Sequence, residues 1–193
     1  MSARSTTETW GSVTRNLHWV SAIVVLGLLG HGWWMTHLAP REGRLWHYAM
    51  HGLIAVYFAL LLALRIVWRL GEATPHQPAG TPGWQKWAAH GAHILLYALL
   101  IGMTISGYLL WSSFPARFDP VRGVAFDYTL FGLFKLPAVH AALNRDVTKY
   151  WENLHELISH VMQALVVVHI AAALWHQFVK RDTILSRMTH GGG

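Results

Sequence analysis

The most informative absence from this sequence is cysteine. Without a thiol the chain has no disulfide, no thiolate metal site, no iron–sulfur cluster and no covalent attachment point for a c-type haem. Histidine, by contrast, occurs fourteen times in 193 residues. Imidazole is therefore the side chain that remains for binding a transition metal or a haem iron.

Charged side chains are also scarce, at 12% of the residues against about 25% in an ordinary soluble domain. Hydrophobic residues make up 53%, and eleven tryptophans are present. Because indole rings concentrate at the bilayer interface, this composition indicates a membrane protein. The net charge of +6 then points to lipid headgroups rather than nucleic acid, because the basic residues flank apolar stretches. No cleavable signal sequence is expected, since the first apolar run is long and no small-residue cleavage site follows it.

Four apolar stretches are each long enough to cross a hydrocarbon core of about 30 Å as a helix. We therefore predict an all-α membrane protein, in which a single domain over residues 1–193 forms a four-transmembrane-helix bundle. The predicted helices lie at about residues 17–37, 47–69, 87–111 and 152–179. In the long third connection, the apolar piece from Tyr128 to Phe134 is too short to span, so a re-entrant or surface-lying segment is expected.

The orientation is predicted from the distribution of lysine and arginine. With the N-terminus inside, the inner segments hold eight basic residues and the outer segments seven. Five of the outer seven lie in the long third loop, away from the short helix flanks on which the positive-inside rule depends. Both termini are therefore expected on the cytoplasmic side.

Four histidines lie inside or at the start of the predicted helices: His18, His51, His155 and His169. An ionisable side chain at such a position is costly and so constitutes a functional hypothesis. His155 and His169 are fourteen residues apart in the fourth helix, which is close to four helical turns. Both rings then face one side, about 21 Å apart. This spacing suits two haems stacked across the bilayer, each taking one axial ligand from the fourth helix.

Antiparallel helices supply the second ligand of each haem at the matching depth. His18, near the inner face, pairs with His169, and His51, near the outer face, pairs with His155. The same pairs result if the whole topology is inverted. The alternative is that these are polar histidines at helix ends, bonded to headgroups or carbonyls. A shared zinc site is disfavoured, because zinc binds imidazole at about 2 Å and His155 and His169 cannot converge on one ion.

Arginines and glycines near these histidines are further candidates. Arg65 follows His51 by fourteen residues and so lies on the same helix face. Arg65 or Arg15 is expected to bind the propionates of the inner haem, with a positive-inside flank as the alternative. The glycines that would admit a flat macrocycle, or simply allow close helix packing, are Gly27, Gly30, Gly52, Gly102 and Gly107.

The remaining histidines divide into two groups. Candidates for proton transfer, propionate binding or a quinone pocket are His47, His90, His93, His160 and His176. Those expected to be peripheral are His31, His37, His76, His140 and His190.

Several segments resemble the bacterial cytochrome b561 family. They are Arg15 to Trp19, Met50 to Gly52 with Arg65 and Arg69, His90 to His93 with Tyr97, Ser106-Gly107, His155-Glu156, and His169 to Ala173 followed by His176, Lys180, Asp182, Thr183, Leu185, Arg187 and Met188. The resemblance covers nearly the whole chain outside the loop from Ser112 to Lys149.

This resemblance implies a dihaem b-type cytochrome of the bacterial inner membrane, with His18, His51, His155 and His169 as the axial ligands of two haem b groups. Members of the family exchange electrons with ubiquinone. One member oxidises superoxide at the periplasmic side, and others pass electrons between quinone and a hydrogenase or another dehydrogenase. The implied partners are membrane lipid, ubiquinone, and a small anionic substrate or a redox partner protein, with no nucleic acid.

Three functions therefore remain open. The first is a superoxide:ubiquinone oxidoreductase, in which a cationic vestibule steers the anionic substrate. The vestibule candidates are Arg41, Arg44, Arg117, Arg122 and Lys149. The second is a non-catalytic electron-transfer subunit of a dehydrogenase or hydrogenase, docked through the long outer loop. The third is a haem-free, histidine-lined transporter, which would show no visible absorbance.

Overall fold

The computed structural model describes residues 2–113, 128–139 and 145–191. Within these residues the elements are helix α1 (Ser12–His37), helix α2 (Arg44–Leu70), helix α3 (Gly83–Ser113), strands β1 (Thr129–Leu130) and β2 (Phe134–Lys135), helix α4 (Arg145–Trp175) and helix α5 (Ile184–Thr189). A π-helical turn, His176–Lys180, continues α4. In this described part of the chain, four helices are long and apolar enough to cross a membrane.

All four predicted helices are present, and each begins earlier than the apolar pattern indicated. Helix α1 begins at Ser12 rather than at about residue 17, and α4 begins at Arg145 rather than at about residue 152. The added first turns of α1 and α4 are mostly polar, so they carry little apolar signal in the sequence. Polar turns of this kind suit the headgroup region, where backbone and side chains still reach water.

Large apolar side chains remain exposed along all four long helices. Ile23, Val67, Ile105 and Val167 have exposed fractions of 69%, 70%, 53% and 66%. A soluble monomer rarely exposes apolar area on this scale. Lipid chains cover such faces at no cost, so these side chains mark the lipid-facing surface of the helices.

The chain divides into two compact units, each containing part of every long helix. The first unit comprises Met1–Ile23, Leu61–Leu99 and Val161–Gly193, and the second comprises Val24–Leu60 and Leu100–His160. Both termini and the α2–α3 connection thus belong to the first unit, as expected for helices that alternate in direction.

Hydrogen bonds tie the N-terminal segment of the first unit to the loop after α2. The Ser5 amide donates to the Glu72 carboxylate at 2.5 Å, and the His76 amide donates to the Thr7 carbonyl at 2.8 Å. Slight burial raises the pKa of Glu72, but the Ser5 hydrogen bonds and the charge of Arg4 outweigh it. The pKa of this carboxyl group therefore lies below its ordinary value.

The C-terminal part of the first unit is tied to the same region. The Trp19 indole nitrogen donates to the Met188 carbonyl at 2.8 Å, and Arg187 Nη1 donates to the His76 carbonyl at 2.7 Å. These contacts hold α5 against the start of α1 and against the α2–α3 loop.

A short hairpin in the second unit occupies the segment that was expected to be re-entrant or surface-lying. Its strands pair Thr129 with Lys135 and Leu130 with Phe134. The turn between them has positive φ at Phe131 and Gly132, 52° and 70°, as the central positions of a type I′ turn require. Strands of two residues are too short for a sequence pattern to reveal them.

Aromatic packing fixes this hairpin to the helices of the second unit. The Tyr128 ring lies 4.9 Å from the Trp111 ring, and the Tyr128 hydroxyl occupies the space that a Cβ at Gly52 would need. The absence of a side chain at Gly52 therefore permits the hairpin to dock. Burial raises the pKa of the Tyr128 phenol.

Candidate functional site

Two of the predicted ligands, His18 of α1 and His169 of α4, lie together in the first unit. Their ring centroids are 6.3 Å apart, with an angle of 62° between the ring planes. Because a metal–imidazole bond is about 2 Å long, two imidazoles on opposite sides of one iron have centroids about 6 Å apart. The spacing of this pair fits one bis-histidine haem.

Arg65 of α2 lies beside the first of these histidines. Its Nη2 donates to His18 Nδ1 at 3.1 Å, and its guanidinium carbon lies 5.2 Å from the centre of the Tyr97 ring. A permanent positive charge is thereby held against a predicted ligand. With Nδ1 accepting, the neutral His18 ring carries its proton on Nε2, so binding of iron at Nε2 requires Arg65 to release Nδ1. The same group is within reach of any carboxylate that binds next to His18.

Arg15, the other predicted propionate ligand, is directed elsewhere in the same unit. It is buried, its Nη1 donates to the Trp10 carbonyl at 3.1 Å, and its guanidinium contacts Gly191. Arg65 is therefore the better placed of the two arginines.

A third histidine, His93 of α3, lies against the His18–His169 pair. Its ring is 5.7 Å from the His169 ring and nearly perpendicular to it, at 83°. His93 Nδ1 donates to the Ala89 carbonyl at 2.6 Å, because a carbonyl can only accept. In the neutral ring, Nε2 of His93 is then an acceptor, available to a ligand or a proton.

The other two predicted ligands, His51 of α2 and His155 of α4, both belong to the second unit. They are close enough for a direct electrostatic interaction. His51 Nδ1 is buried and has no hydrogen-bond partner among the described residues. Buried imidazole nitrogens are normally satisfied, so an orphaned one marks a position where a ligand is expected.

Glycines make room for both of these rings. A Cβ added at Gly32 would lie 3.4 Å from His51 Cε1, and one added at Gly107 would lie 3.1 Å from His155 Cε1. The ring of His155 is also held by Ser106, whose hydroxyl oxygen lies 2.9 Å from His155 Nδ1.

The five glycines predicted to admit a macrocycle fall into two groups. Gly52, Gly102 and Gly107 accommodate protein side chains, of Tyr128, Ile158 and His155 respectively. Gly27 and Gly30 have no described atom within 4 Å of a Cβ built on them. Close packing therefore accounts for the first three, and the other two leave their helix face open.

His31 was expected to be peripheral, and the structure contradicts this. Its Nε2 lies 3.5 Å from His47 Nδ1, and its ring stacks on His51 with centroids 5.8 Å apart. His31 and His47 thus form a second layer next to a predicted ligand. The contact joins α1 to α2, and no local sequence pattern could have revealed it.

The predicted cationic vestibule is only partly described. Arg41 is exposed, whereas Arg44 turns back to donate to the Ala39 carbonyl at 2.7 Å. Lys149 pairs with Glu152 at 3.2 Å. Arg117 and Arg122, like His140, lie outside the described residues.

A bare metal site is disfavoured. Across residues 2–113, 128–139 and 145–191, no group of three or more histidine, aspartate or glutamate side chains is arranged to hold an ion. Haem needs only two protein ligands, because the macrocycle supplies the other four. A pair such as His18 and His169 therefore supplies enough protein ligands for a haem, and too few for a zinc site.

Comparison with known proteins identifies the family. Residues 9–191 match the model of the prokaryotic cytochrome b561 family. The chain belongs to this family. Its resemblance to the family, read from the histidine-containing segments, is thereby confirmed.

Three curated relatives are similar in sequence to this chain along nearly their whole length. Cytochrome b561 homolog 2 of Escherichia coli K12 is 30% identical over 191 residues, covering 97% of this chain and 95% of the relative. Cytochrome b561 homolog 1 of the same strain is 24% identical over 182 residues, covering 89% and 92%. The probable superoxide oxidase CybB of Yersinia pestis is 25% identical over 172 residues, covering 89% and 90%.

As a prokaryotic cytochrome b561, the chain is a helical membrane protein that binds b-type haem and takes part in electron transfer. Its four apolar helices and its family fit the bacterial inner membrane. The predicted fold class of a four-transmembrane-helix bundle is confirmed.

Proposed function

We propose that this cytochrome b561 carries two haem b groups and moves electrons between a donor, with superoxide as one candidate, and ubiquinone across the inner membrane. His18 and His169 hold one haem, and His51 and His155 hold the other. Residues 1–193 act as one integral-membrane domain with both termini cytoplasmic.

The observation that carries this proposal is the 6.3 Å separation of the His18 and His169 rings. It equals the spacing of two imidazoles bound to opposite sides of one iron. The buried, unpartnered Nδ1 of His51 supports a second ligand site. Among the described residues, His93 also lies near His169, at 5.7 Å between ring centroids, and its Nδ1 already donates to the Ala89 carbonyl.

When bound, haem supplies one-electron exchange at an iron whose two axial positions are both filled by imidazole. The chain's own residues hold the ligands, exclude water and set the local charge. Arg65 contributes a positive charge beside His18 and is placed to bind a propionate. Arg15 remains a second propionate candidate at lower rank, because its guanidinium already bonds the Trp10 carbonyl.

Reduction of a quinone to a quinol consumes two electrons and two protons, so a quinone site also needs a proton donor. The His31–His47 contact provides two titratable rings next to His51. We assign this pair as the candidate proton donor for ubiquinone in the second unit. His93 is the corresponding candidate in the first unit, since its neutral Nε2 can take up a proton from water and then pass it on.

Superoxide as the donor rests on the relative named as a probable superoxide oxidase. Among the described vestibule residues, Arg41 is exposed and Lys149 is paired with Glu152, so this part of the chain contributes little charge for steering an anion.

The second candidate function is that of an electron-transfer subunit docked to a partner protein. The hairpin favours it, because Phe131, Leu133 and Phe134 expose 67%, 77% and 67% of their surface outside the spanning helices. Exposed apolar clusters of this kind mark protein or membrane contacts.

The first experiment is a reduced-minus-oxidised visible spectrum with a pyridine haemochrome assay on the purified chain. Two haem b per chain with low-spin bands are expected. One haem would mean that one histidine pair is misassigned. Protein without haem, when expressed with ample haem, would reject the cytochrome assignment of function and favour a histidine-lined transporter.

The donor is tested by superoxide-dependent ubiquinone reduction in the same preparation. A rate above the spontaneous reaction is expected for the oxidase, with superoxide dismutase as the control that abolishes it. A rate equal to the spontaneous one, in protein carrying both haems, would leave the electron-transfer subunit as the function.

A further inference from the structure

The strongest arrangement beyond the ligands themselves surrounds the Nδ1 atom of His155. Ser106 of α3 is 2% exposed, and its hydroxyl oxygen lies 2.9 Å from His155 Nδ1. The same hydroxyl donates to the Met103 carbonyl at 3.3 Å.

The direction of these hydrogen bonds follows from the chemistry of the groups. A carbonyl oxygen can only accept, so the serine hydroxyl donates toward Met103. An imidazole that binds iron through Nε2 carries its remaining proton on Nδ1. With His155 as such a ligand, the Ser106 oxygen accepts the Nδ1 proton at 2.9 Å.

We infer that Ser106 is the positioning residue for the haem held by His155: it accepts the Nδ1 proton, orients the ring and presents Nε2 to the iron. This inference rests on the proposed role of His155 as an axial ligand. The hydrogen bond from Nδ1 makes the ring a stronger electron donor to the iron. A stronger donor favours the oxidised iron and so lowers the reduction potential of that haem.

The two predicted haem sites differ at this atom. His18 Nδ1 faces the Arg65 guanidinium, a cationic donor, whereas His155 Nδ1 faces a neutral oxygen acceptor. Ser106 therefore acts on one haem only. A serine that served only helix packing would not change the reduction potential of one haem while leaving the other unchanged.

The test is a redox titration of Ser106→Ala in purified holoprotein, with haem content measured in parallel. Ser106→Ala is expected to keep two haems and to raise one midpoint potential, increasing that haem's reduction equilibrium constant several-fold. Only one hydrogen bond to the ring is lost, so the change should stay below about tenfold, which is 59 mV for one electron. The other potential should not move.

Ser112→Ala is the matched control. Ser112 is equally buried in the same helix and donates to the Leu109 carbonyl, as Ser106 does to Met103. Its loss should leave both potentials unchanged. Equal potentials in Ser106→Ala and Ser112→Ala, or a lowered potential in Ser106→Ala, would overturn the inference.

If Ser106→Ala loses a haem, Ser106→Thr tests whether the lost hydroxyl is the cause. The threonine hydroxyl should restore that haem, and continued loss in Ser106→Thr would count against a positioning role. His155→Ala separates this inference from the assignment on which it rests. If His155→Ala retains two haems, the ligand assignment fails; if it loses one and Ser106→Ala shifts nothing, only the role of Ser106 fails.

Discussion

Arg65 Nη2 lies 3.1 Å from Nδ1 of His18, so one predicted haem ligand is paired with a permanent cation inside a membrane helix. A partly buried charge at this position would stabilise the more negative, reduced state of a nearby haem. Of the two proposed haems, the one assigned to His18 and His169 is therefore expected to have the higher potential.

Replacing Arg65 by glutamine should lower that potential. At an effective dielectric constant of about 20, loss of the charge should destabilise the reduced haem by on the order of 1–2 kcal/mol. The reduction equilibrium constant would then fall roughly tenfold. A redox titration measures the shift. Arg69→Gln is the control, because Arg69 turns to the Glu72 carbonyl and the Trp10 ring. Equal shifts in both variants would argue against a specific role of Arg65.

The ligand pairs predict which variants lose the same haem. His51→Ala and His155→Ala should each lose one haem and spare the other, and His18→Ala and His169→Ala should lose the opposite one. Visible spectra and haemochrome assays report the loss. His37→Ala serves as the control, since His37 is exposed at the end of α1. If His51→Ala removed the haem that is lost in His169→Ala, the pairing would be wrong.

Close contact with the ligand ring makes Gly107 sensitive to any side chain. A Cβ at Gly107 would lie 3.1 Å from His155 Cε1, so Gly107→Ala should displace the ring and cost about 1–3 kcal/mol of stability. Thermal melting and haem content measure the effect. Gly102→Ala in the same helix is the control, because its Cβ would meet Ile158 at an ordinary 3.5 Å. Similar losses in both variants would show general intolerance of α3.

The Glu72 carboxylate predicts an acid-sensitive attachment of the N-terminal segment. Its pKa is lower in the folded chain than in the unfolded one, so its contribution to stability is complete above the unfolded value of about 4.3. That contribution is lost as the pH falls through the folded pKa. Proteolysis of residues 2–11 should accelerate at that point.

Glu72→Gln should release the same segment already at neutral pH, while Glu8→Gln, an exposed glutamate in the segment itself, should not. An acid profile that is identical in Glu72→Gln and the unchanged chain would show that another group controls the attachment.

Helix number, helix type and the ligand candidates could be predicted from the sequence because they depend on local pattern. Long apolar runs predict spanning helices, and helical periodicity places His155 and His169 on one face. The helix starts were missed because the polar first turns of α1 and α4 carry no apolar signal. The family segments could be recognised for the same local reason.

Contacts between helices could not be read in this way. The stacking of His31 on His51 and the hydrogen bond of Ser106 to His155 each join residues far apart in the chain. The hairpin was also not predicted, because Phe131 occupies a position at which a type I′ turn usually has asparagine or aspartate. Each of these features depends on packing, which composition and spacing do not encode.

The division into two units predicts the order in which the two predicted ligand pairs come together during synthesis. Residues 24–60 and 100–160, which build the second unit, have all left the ribosome before residues 161–191 complete the first. His51 is therefore expected to meet His155 before the rest of α4 has entered the bilayer. His18, by contrast, waits for His169, and Trp19 waits for Met188. Cofactor capture during biogenesis is thus expected to begin at the His51–His155 site and to finish at the His18–His169 site.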